Sequence, residues 1–360
     1  MFNYTELLIA LLISFVATLV LTYPVKRFAT WFGALDVPNH RKIHTKITPR
    51  IGGLAIFFGA LAGAIYLRPT HEHMMPIFLG AVVIIITGML DDRYDIRPVV
   101  KLSGQLIAAS FLISSGLIIE RITLPFLGVV ELGFVSVLIT VLWVVGITNA
   151  INLIDGLDGL ATGVSTIALT SMLIMAVIDV RVAAVYLCVI LIGANLGFLF
   201  HNFHPATIYM GDTGSNFLGY MIAAISMLGL FKNVALFSFI IPVIILAVPI
   251  FDTLFAIVRR AANKEGIMIA DNKHIHYQLL ASGFSHRTTV LIVYVFSILF
   301  GAMAILFSYA SYTLTFVITF LVLVLIHILA ELAGIVLGGK RPVLGLITRP
   351  FRKKREQKSE

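Results

Sequence analysis

Residues Asn149 to Gly163 read NAINLIDGLDGLATG, and two carboxylates in this stretch, Asp155 and Asp158, stand between the apolar runs 134–147 and 160–178. At the centre of a bilayer each would cost about 2.5–3.5 kcal/mol, so a polar loop or cavity is the expected place for them. Their i, i+3 spacing puts both on one face if the segment is helical. Gly156 and Gly159 each cost a helix about 1 kcal/mol relative to Ala, and equally suit a helix end or a tight loop. Glycines beside carboxylates let a bulky anion and its metal approach the backbone. The plain alternative is a polar hairpin turn between two spans.

Three further stretches carry charge next to apolar runs. LDDRYDIRPVVK (Leu90 to Lys101) holds the adjacent pair Asp91 and Asp92, which raise each other's pKa unless Arg93, Arg97, Lys101 or a metal sits near. HNFHPATIYMGDTGSN (His201 to Asn216) holds Asp212 between Gly211 and Thr213-Gly214, a turn-forming context that exposes the carboxylate and nearby amides. Magnesium takes one or two carboxylates plus substrate phosphates. The five aspartates exceed what one ion uses, so the others must bind substrate, act as base or support the ligands. DVPNHRKIHTKITPRIGG (Asp36 to Gly53) mixes Arg41, Lys42, Lys46 and Arg50 with His40 and His44. It reads either as a loop obeying the positive-inside rule or as a phosphate-recognition element. DNKHIHYQLLASGFSHR (Asp271 to Arg287) places His274 and His276 two apart, a surface pair or a phosphate contact. The absence of Cys in this stretch and of an HExxH pattern argues against zinc there.

These stretches must be positioned by membrane spans. The 360 residues are 59% hydrophobic and 12% charged, where a soluble domain carries about 25% charged residues. The expected fold is therefore an all-α polytopic integral membrane protein of about eleven transmembrane helices, at 4–24, 51–67, 76–90, 102–119, 134–148, 160–178, 182–200, 214–231, 234–257, 289–308 and 313–336. The first run has Glu6 before it and Lys26-Arg27 after it, the reverse of a cleaved signal, and is read as a retained span. The expected organisation is one transmembrane catalytic domain, 1–336, and a basic cytosolic tail, 337–360. With the N-terminus outside and the C-terminus cytosolic, all but four of the 26 Lys and Arg (Arg68, Arg121, Arg181 and Lys232) fall on the cytosolic side. Asp91, Asp92, Asp155, Asp158 and Asp212 fall on that same side. Structural carboxylates have no reason to gather there; a shared site does. The net charge of +8 is placed for anionic lipid rather than nucleic acid. The single cysteine, Cys188, excludes an intrachain disulfide and a Cys-based metal cluster. The ninth run carries Pro242 and Pro249 and reads as a kinked helix or as a bent one opening a lateral groove to lipid. A secondary transporter shares the composition, but its site lies near the midplane and often in repeated halves; here the carboxylates sit in loops and no repeat is evident.

Taken together, LDDRYDIRPVVK, NAINLIDGLDGLATG, NFHPATIYMGDTGSN and KHIHYQLLASGFSHR resemble the polyprenyl-phosphate N-acetylhexosamine-1-phosphate transferases, over essentially all of the chain through the last span. The His-Ile-His motif is closer to the UDP-GlcNAc-using branch, which initiates teichoic acid and enterobacterial common antigen, than to the phospho-MurNAc-pentapeptide translocase, the alternative with another UDP-sugar donor. Tyr277 stands where that branch has a further His. The resemblance implies a Mg²⁺-dependent enzyme, with Mn²⁺ as a substitute ion, in the bacterial cytoplasmic membrane with its site facing the cytosol. The phosphate of undecaprenyl phosphate would attack the β-phosphorus of UDP-GlcNAc, forming undecaprenyl-diphospho-GlcNAc and UMP. Asp212 is then the expected metal ligand. Asp91 and Asp92 belong at the lipid phosphate, with Asp91 the candidate base, and Asn152, Asp155 and Asp158 line the nucleotide-sugar and metal site. Asn202 and Tyr209 match uridine-binding positions, His274 and His276 contact phosphate or sugar, and Lys42, Lys46, Arg50 and Lys101 complement phosphates. The expected partners are UDP-GlcNAc, undecaprenyl phosphate and membrane lipid, with a homodimer as the candidate assembly.

Overall fold

The computed structural model describes residues 2–36, 47–124, 128–229, 240–262 and 274–333. Lys42, Lys46 and the basic tail lie outside these residues. The described chain is built from helices: α1 Tyr4–Phe32, α2 Gly53–Leu67, α3 Met74–Tyr94, α4 Pro98–Ser114, α5 Val135–Ile154, α6 Leu160–Ile178, α7 Val182–Asn202, α8 Gly211–Gly229, α9 Ile240–Ile245, α10 Ala247–Ala262, α11 Ile275–Ala281, α12 His286–Ser308 and α13 Tyr312–Leu332. Two short antiparallel pairs complete it: β1 Leu35–Asp36 with β2 Thr48–Pro49, and β3 Arg121–Leu124 with β4 Gly128–Glu131. Seven of the helices (α1, α3, α5, α6, α7, α12 and α13) are long and apolar enough to cross a membrane, and α2 and α4 are apolar but shorter. The architecture is that of an all-α polytopic membrane protein.

Helix α8 is the axis of the bundle. Every residue of it except Asp212 is buried. It is enclosed by α3 and α5, with α2, α6 and α7 also in contact. A helix in that position needs no lipid-facing surface, which is why its first turn tolerates Gly-Asp-Thr-Gly-Ser-Asn. The outer helices do the reverse: α13 exposes Phe316 and Phe320, side chains suited to lipid.

Close packing in the first half rests on small residues. Gly59 and Gly63 of α2 lie against Thr18 and Ser14 of α1, and Gly193 and Gly197 of α7 lie against the carbonyls of Leu11 and Phe15. A Cβ at any of the four would collide with α1. This is the small-xxx-small arrangement by which membrane helices approach without a hydrophobic driving force.

The ninth expected span, 234–257, is not one helix over its described part. α9 ends at Ile245, Leu246 is a turn residue and α10 begins at Ala247. Pro249 has no N–H to offer the Ile245 carbonyl, so the ladder lacks a rung where the helix breaks. Flanking bonds survive: Leu246 N donates to Pro242 O at 3.0 Å and Ile250 N to Leu246 O at 3.0 Å.

Candidate active site

The C-terminal ends of α3, α5 and α7 meet the N-terminal ends of α4, α6, α8 and α12 at one end of the bundle. That convergence brings the carboxylates together. α3 reaches Asp91 and Asp92 in its last turn. Asp92 is buried and turned toward the start of α8. Its Oδ1 accepts from Asp212 N at 2.9 Å, and its Oδ2 accepts from Thr213 N at 3.0 Å and Thr213 Oγ1 at 2.6 Å. Arg50 Nε adds a further bond to Oδ1 at 3.1 Å. A carboxylate on free N–H groups at a helix start is favoured both by hydrogen bonding and by the helix dipole. Expected at a lipid phosphate, Asp92 is thus fully engaged in holding the helix that carries Asp212. Gly211, with φ +70°, admits no alternative, because a Cβ there would collide with the Asp92 carboxylate and the Arg50 carbonyl.

Asp91 points elsewhere. Its Oδ2 accepts from Lys101 Nζ at 2.9 Å, while its Oδ1 is buried with no protein partner. Lys101 bridges to Asp212 Oδ2, and Arg50 Nη2 reaches Asp212 Oδ1 at 3.4 Å. Burial alone would lower the Arg50 pKa, but the surrounding Asp92, Asp212, Asp36 and Asp91 charges raise it. Two carboxylates, Asp91 and Asp212, therefore face one another across an ammonium group.

A cavity of about 380 Å³ opens beside this cluster, a size suited to a small-molecule ligand. Its wall carries Arg50, Asn152, Asp155, Asp158, Asn202, Tyr209 and Asp212 from the sequence expectations, with Asp36, Gly156, Leu157, His204, Met210, Gly211, Tyr277 and His286. Asp155 follows the last turn of α5. Burial first, and the Asp212 and Asp92 charges second, push its carboxyl up to about 8. Asn152 Nδ2 donates to Ser215 Oγ at 2.8 Å, and Asn149 meets Gln105 with its Nδ2 at 2.9 Å from Oε1, so the i, i+3 asparagines of the motif lock α5 onto α8 and α4. Tyr209 is held by its backbone: its N donates to Pro49 O at 2.8 Å and its O accepts from Gly52 N at 3.0 Å.

Asn202 touches the cavity and also braces the protein. Its Oδ1 accepts from Gly159 N at 3.1 Å and Thr162 Oγ1 at 2.8 Å, and its Nδ2 donates to Ile208 O at 3.0 Å. It fastens the first turn of α6 to the loop before α8. His274 and His276 do not line the cavity; their neighbour Tyr277 does. His274 Nδ1 is 2.8 Å from Asp252 Oδ2, and Ile275 N donates to Asp252 Oδ1 at 2.9 Å. His276, 1% exposed, packs its ring against Gly156 with both nitrogens unpartnered, and burial pushes its pKa down to about 4.

Four residues enter the site that spacing did not single out. Gln105 joins the Asn149–Asn216 network. Asp252 holds the His-Ile-His segment. His204 Nδ1 lies 2.8 Å from Asp158 Oδ2, which also accepts from Ala206 N at 3.0 Å, and His286 stacks on His204 with centroids 4.2 Å apart. The Ser285-x-x-Thr288 signal for a helix start, realised by Thr288 N donating to Ser285 Oγ at 3.2 Å, puts His286 at the head of α12. Nothing local says that it meets His204.

The residues fit a hard divalent cation. Asp212 and Asp91 offer oxygen only, the donor type magnesium prefers, and the unpartnered buried Asp91 Oδ1 is an acceptor without a protein donor.

Comparison with known proteins gives concordant results. The profile of Glycosyl transferase family 4 matches residues 74–230, which span α3 through α8. A Bacillus subtilis protein described as a probable undecaprenyl-phosphate N-acetylglucosaminyl 1-phosphate transferase is 48% identical over 336 residues, covering 92% of this chain and 93% of the relative. The decaprenyl-phosphate N-acetylglucosaminephosphotransferase of Mycobacterium tuberculosis is 35% identical, with 84% and 83% covered. A phospho-N-acetylmuramoyl-pentapeptide-transferase of Staphylococcus epidermidis is 31% identical, with 82% and 95% covered. On likeness extending through every element that builds the cavity, the chain belongs to the polyprenyl-phosphate N-acetylhexosamine-1-phosphate transferases, in the branch of the N-acetylglucosamine-1-phosphate transferases.

Proposed function

We propose that the chain transfers GlcNAc-1-phosphate from UDP-GlcNAc to undecaprenyl phosphate, giving undecaprenyl-diphospho-GlcNAc and UMP, as the first membrane step of a cell-envelope glycopolymer such as teichoic acid. The observation that carries this reading is the Asp91–Lys101–Asp212–Arg50 cluster beside a polar cavity of about 380 Å³, in a chain 48% identical to a relative described by that reaction.

Phosphoryl transfer asks mainly for positioning and charge neutralisation. An oxygen of the acceptor phosphate forms a bond to the β-phosphorus, the bond from that phosphorus to the bridging oxygen breaks, and UMP leaves with the bridging oxygen. Asp212, with Asp91 beside it, would hold Mg²⁺, which would supply charge neutralisation on the transferred group. Lys101 and Arg50 add fixed positive charge on either side of Asp212. Asp91 is the candidate base, although a lipid phosphate is already ionised near neutral pH and needs little help. Asp92 acts by holding α8 in register. Uridine enters from the aqueous side against Tyr209, and the Pro242/Pro249 bend, where α10 packs beside α5, is the candidate place for the polyprenyl chain. Eleven membrane crossings, with the N-terminus outside and the C-terminus and cavity on the cytosolic face of the bacterial inner membrane, agree with the cation distribution.

Purified protein incubated with undecaprenyl phosphate, Mg²⁺ and a panel of UDP-sugars tests the reading. UMP release with UDP-GlcNAc is expected. Release only with UDP-MurNAc-pentapeptide, or with no donor at all, contradicts it.

A further inference from the structure

Asp252 sits in the second turn of α10, 3% exposed, and α10 packs against α5, the helix that ends at Asp155. Its two oxygens are divided between a side chain and a backbone. Oδ2 lies 2.8 Å from His274 Nδ1, and Oδ1 accepts from Ile275 N at 2.9 Å.

A carboxylate on an imidazole first suggests a proton relay, in which the carboxylate orients a histidine that works on the substrate. The placement of His274 argues against it: the ring is buried and does not line the cavity. What reaches the wall is Tyr277, three residues on. His276 stands between them. Its ring is parallel to that of His274, with centroids 5.8 Å apart and planes at 4°, and its centroid is 4.2 Å from that of Tyr277. It also packs so closely on Gly156, another wall residue, that a Cβ there would collide with Nε2. A row of rings, His274, His276 and Tyr277, thus runs from Asp252 to the cavity.

The helix that carries this row, α11, has seven residues. A helix of that length does not hold itself in place, so its position is set by tertiary contacts. Two bonds to one charged acceptor on a longer helix fix both where α11 starts and how it is turned.

We propose that Asp252 is a positioning residue for the nucleotide-sugar donor: through His274 and Ile275 it sets Tyr277 on the cavity wall and His276 beneath Gly156. The proposal rests on the reading of the cavity as the donor site.

The test uses the full chain in detergent, with UDP affinity by calorimetry, KM for UDP-GlcNAc and for undecaprenyl phosphate by UMP release, and the thermal midpoint. Asp252→Ala should weaken UDP binding and raise the donor KM about tenfold, and change the acceptor KM less than about twofold. Asp252→Asn still offers an oxygen to Ile275 N and a polar partner to His274, and should keep most of the donor affinity. The deciding measurement is a double-mutant cycle with Tyr277→Ala. If Asp252 acts through the row of rings, the double variant binds UDP no more weakly than the weaker single one. A merely structural role lowers the thermal midpoint and gives additive losses. His274→Ala, which leaves the Ile275 bond in place, supplies the same cycle if Asp252→Ala does not fold. UDP affinity unchanged in Asp252→Ala, additive losses in the cycle, or donor and acceptor KM raised alike each overturns the proposal while leaving the donor site standing. A wild type that binds no UDP overturns the donor reading and the proposal with it.

Discussion

Asp92 caps the helix that carries Asp212: its Oδ1 accepts the Asp212 backbone N–H at 2.9 Å and its Oδ2 the Thr213 N–H at 3.0 Å. Two carboxylates that look alike in sequence thus have separable tasks. Asp92→Ala removes the cap and leaves Arg50 with one carboxylate fewer. Loss of a capping side chain costs about 0.5–2 kcal/mol, so the thermal midpoint should fall by several degrees together with turnover. Asp212→Asn keeps the cap and should abolish Mg²⁺-supported turnover with a folded protein. Differential scanning fluorimetry beside a UMP-release assay separates the two, and equal midpoints for wild type and Asp92→Ala would refute the capping role.

The pH dependence of Mg²⁺ affinity follows from Asp155. Its carboxyl is pushed up to about 8, by burial first and by Asp212 and Asp92 second, so it is largely protonated at neutral pH before a cation arrives. A cation favours the ionised form. Apparent Mg²⁺ affinity should therefore rise as pH increases from 6.5 toward 8 and level off above it. Asp155→Asn should flatten that rise. Titration of turnover with Mg²⁺ between pH 6.5 and 9 reads both, and a pH-independent affinity in the wild type would count against the assignment.

His276 predicts an acid limb in stability. Its folded pKa is lowered from 6.5 to about 4 by burial, so the folded state binds fewer protons than the unfolded one across that window. The stability is fully present above pH 6.5 and is lost as pH falls from 6.5 toward 4. Thermal midpoints measured from pH 7.5 to 5 should fall, and His276→Leu should make the curve shallower. An unchanged slope in the variant would mean that other groups carry the acid sensitivity.

Tyr209 lines the cavity with a backbone pinned to Pro49 and Gly52, so its ring can be removed without dislodging the loop. Tyr209→Ala should raise the KM for UDP-GlcNAc about fivefold, the equivalent of roughly 1 kcal/mol of lost ring contact, with the acceptor KM little changed. A raised acceptor KM alone would require the uridine to be placed elsewhere.

Much of the plan was legible in the chain itself. Apolar run length and turn residues are local signals, and ten of the expected spans coincide with single helices. Asp155, Asp158 and Asp212 stood out because a carboxylate at the edge of an apolar run has few reasons to be there, and the cavity wall carries all three. What remained hidden was direction and partnership. Asp91 and Asp92 are adjacent in sequence, yet the turn of α3 sends one toward Lys101 and the other onto the start of α8. Asn202, which reads as a ligand by motif, lines the cavity and is also a brace that no local signal announces, because the groups it satisfies, Gly159 N and the Ile208 carbonyl, lie on other segments. His276 is buried against Gly156, while Tyr277 takes the place on the wall. His204 and His286 meet only because α7 ends and α12 begins at the same end of the bundle. Residue type and spacing determine which groups are costly to bury; only long-range packing decides which partner relieves each cost.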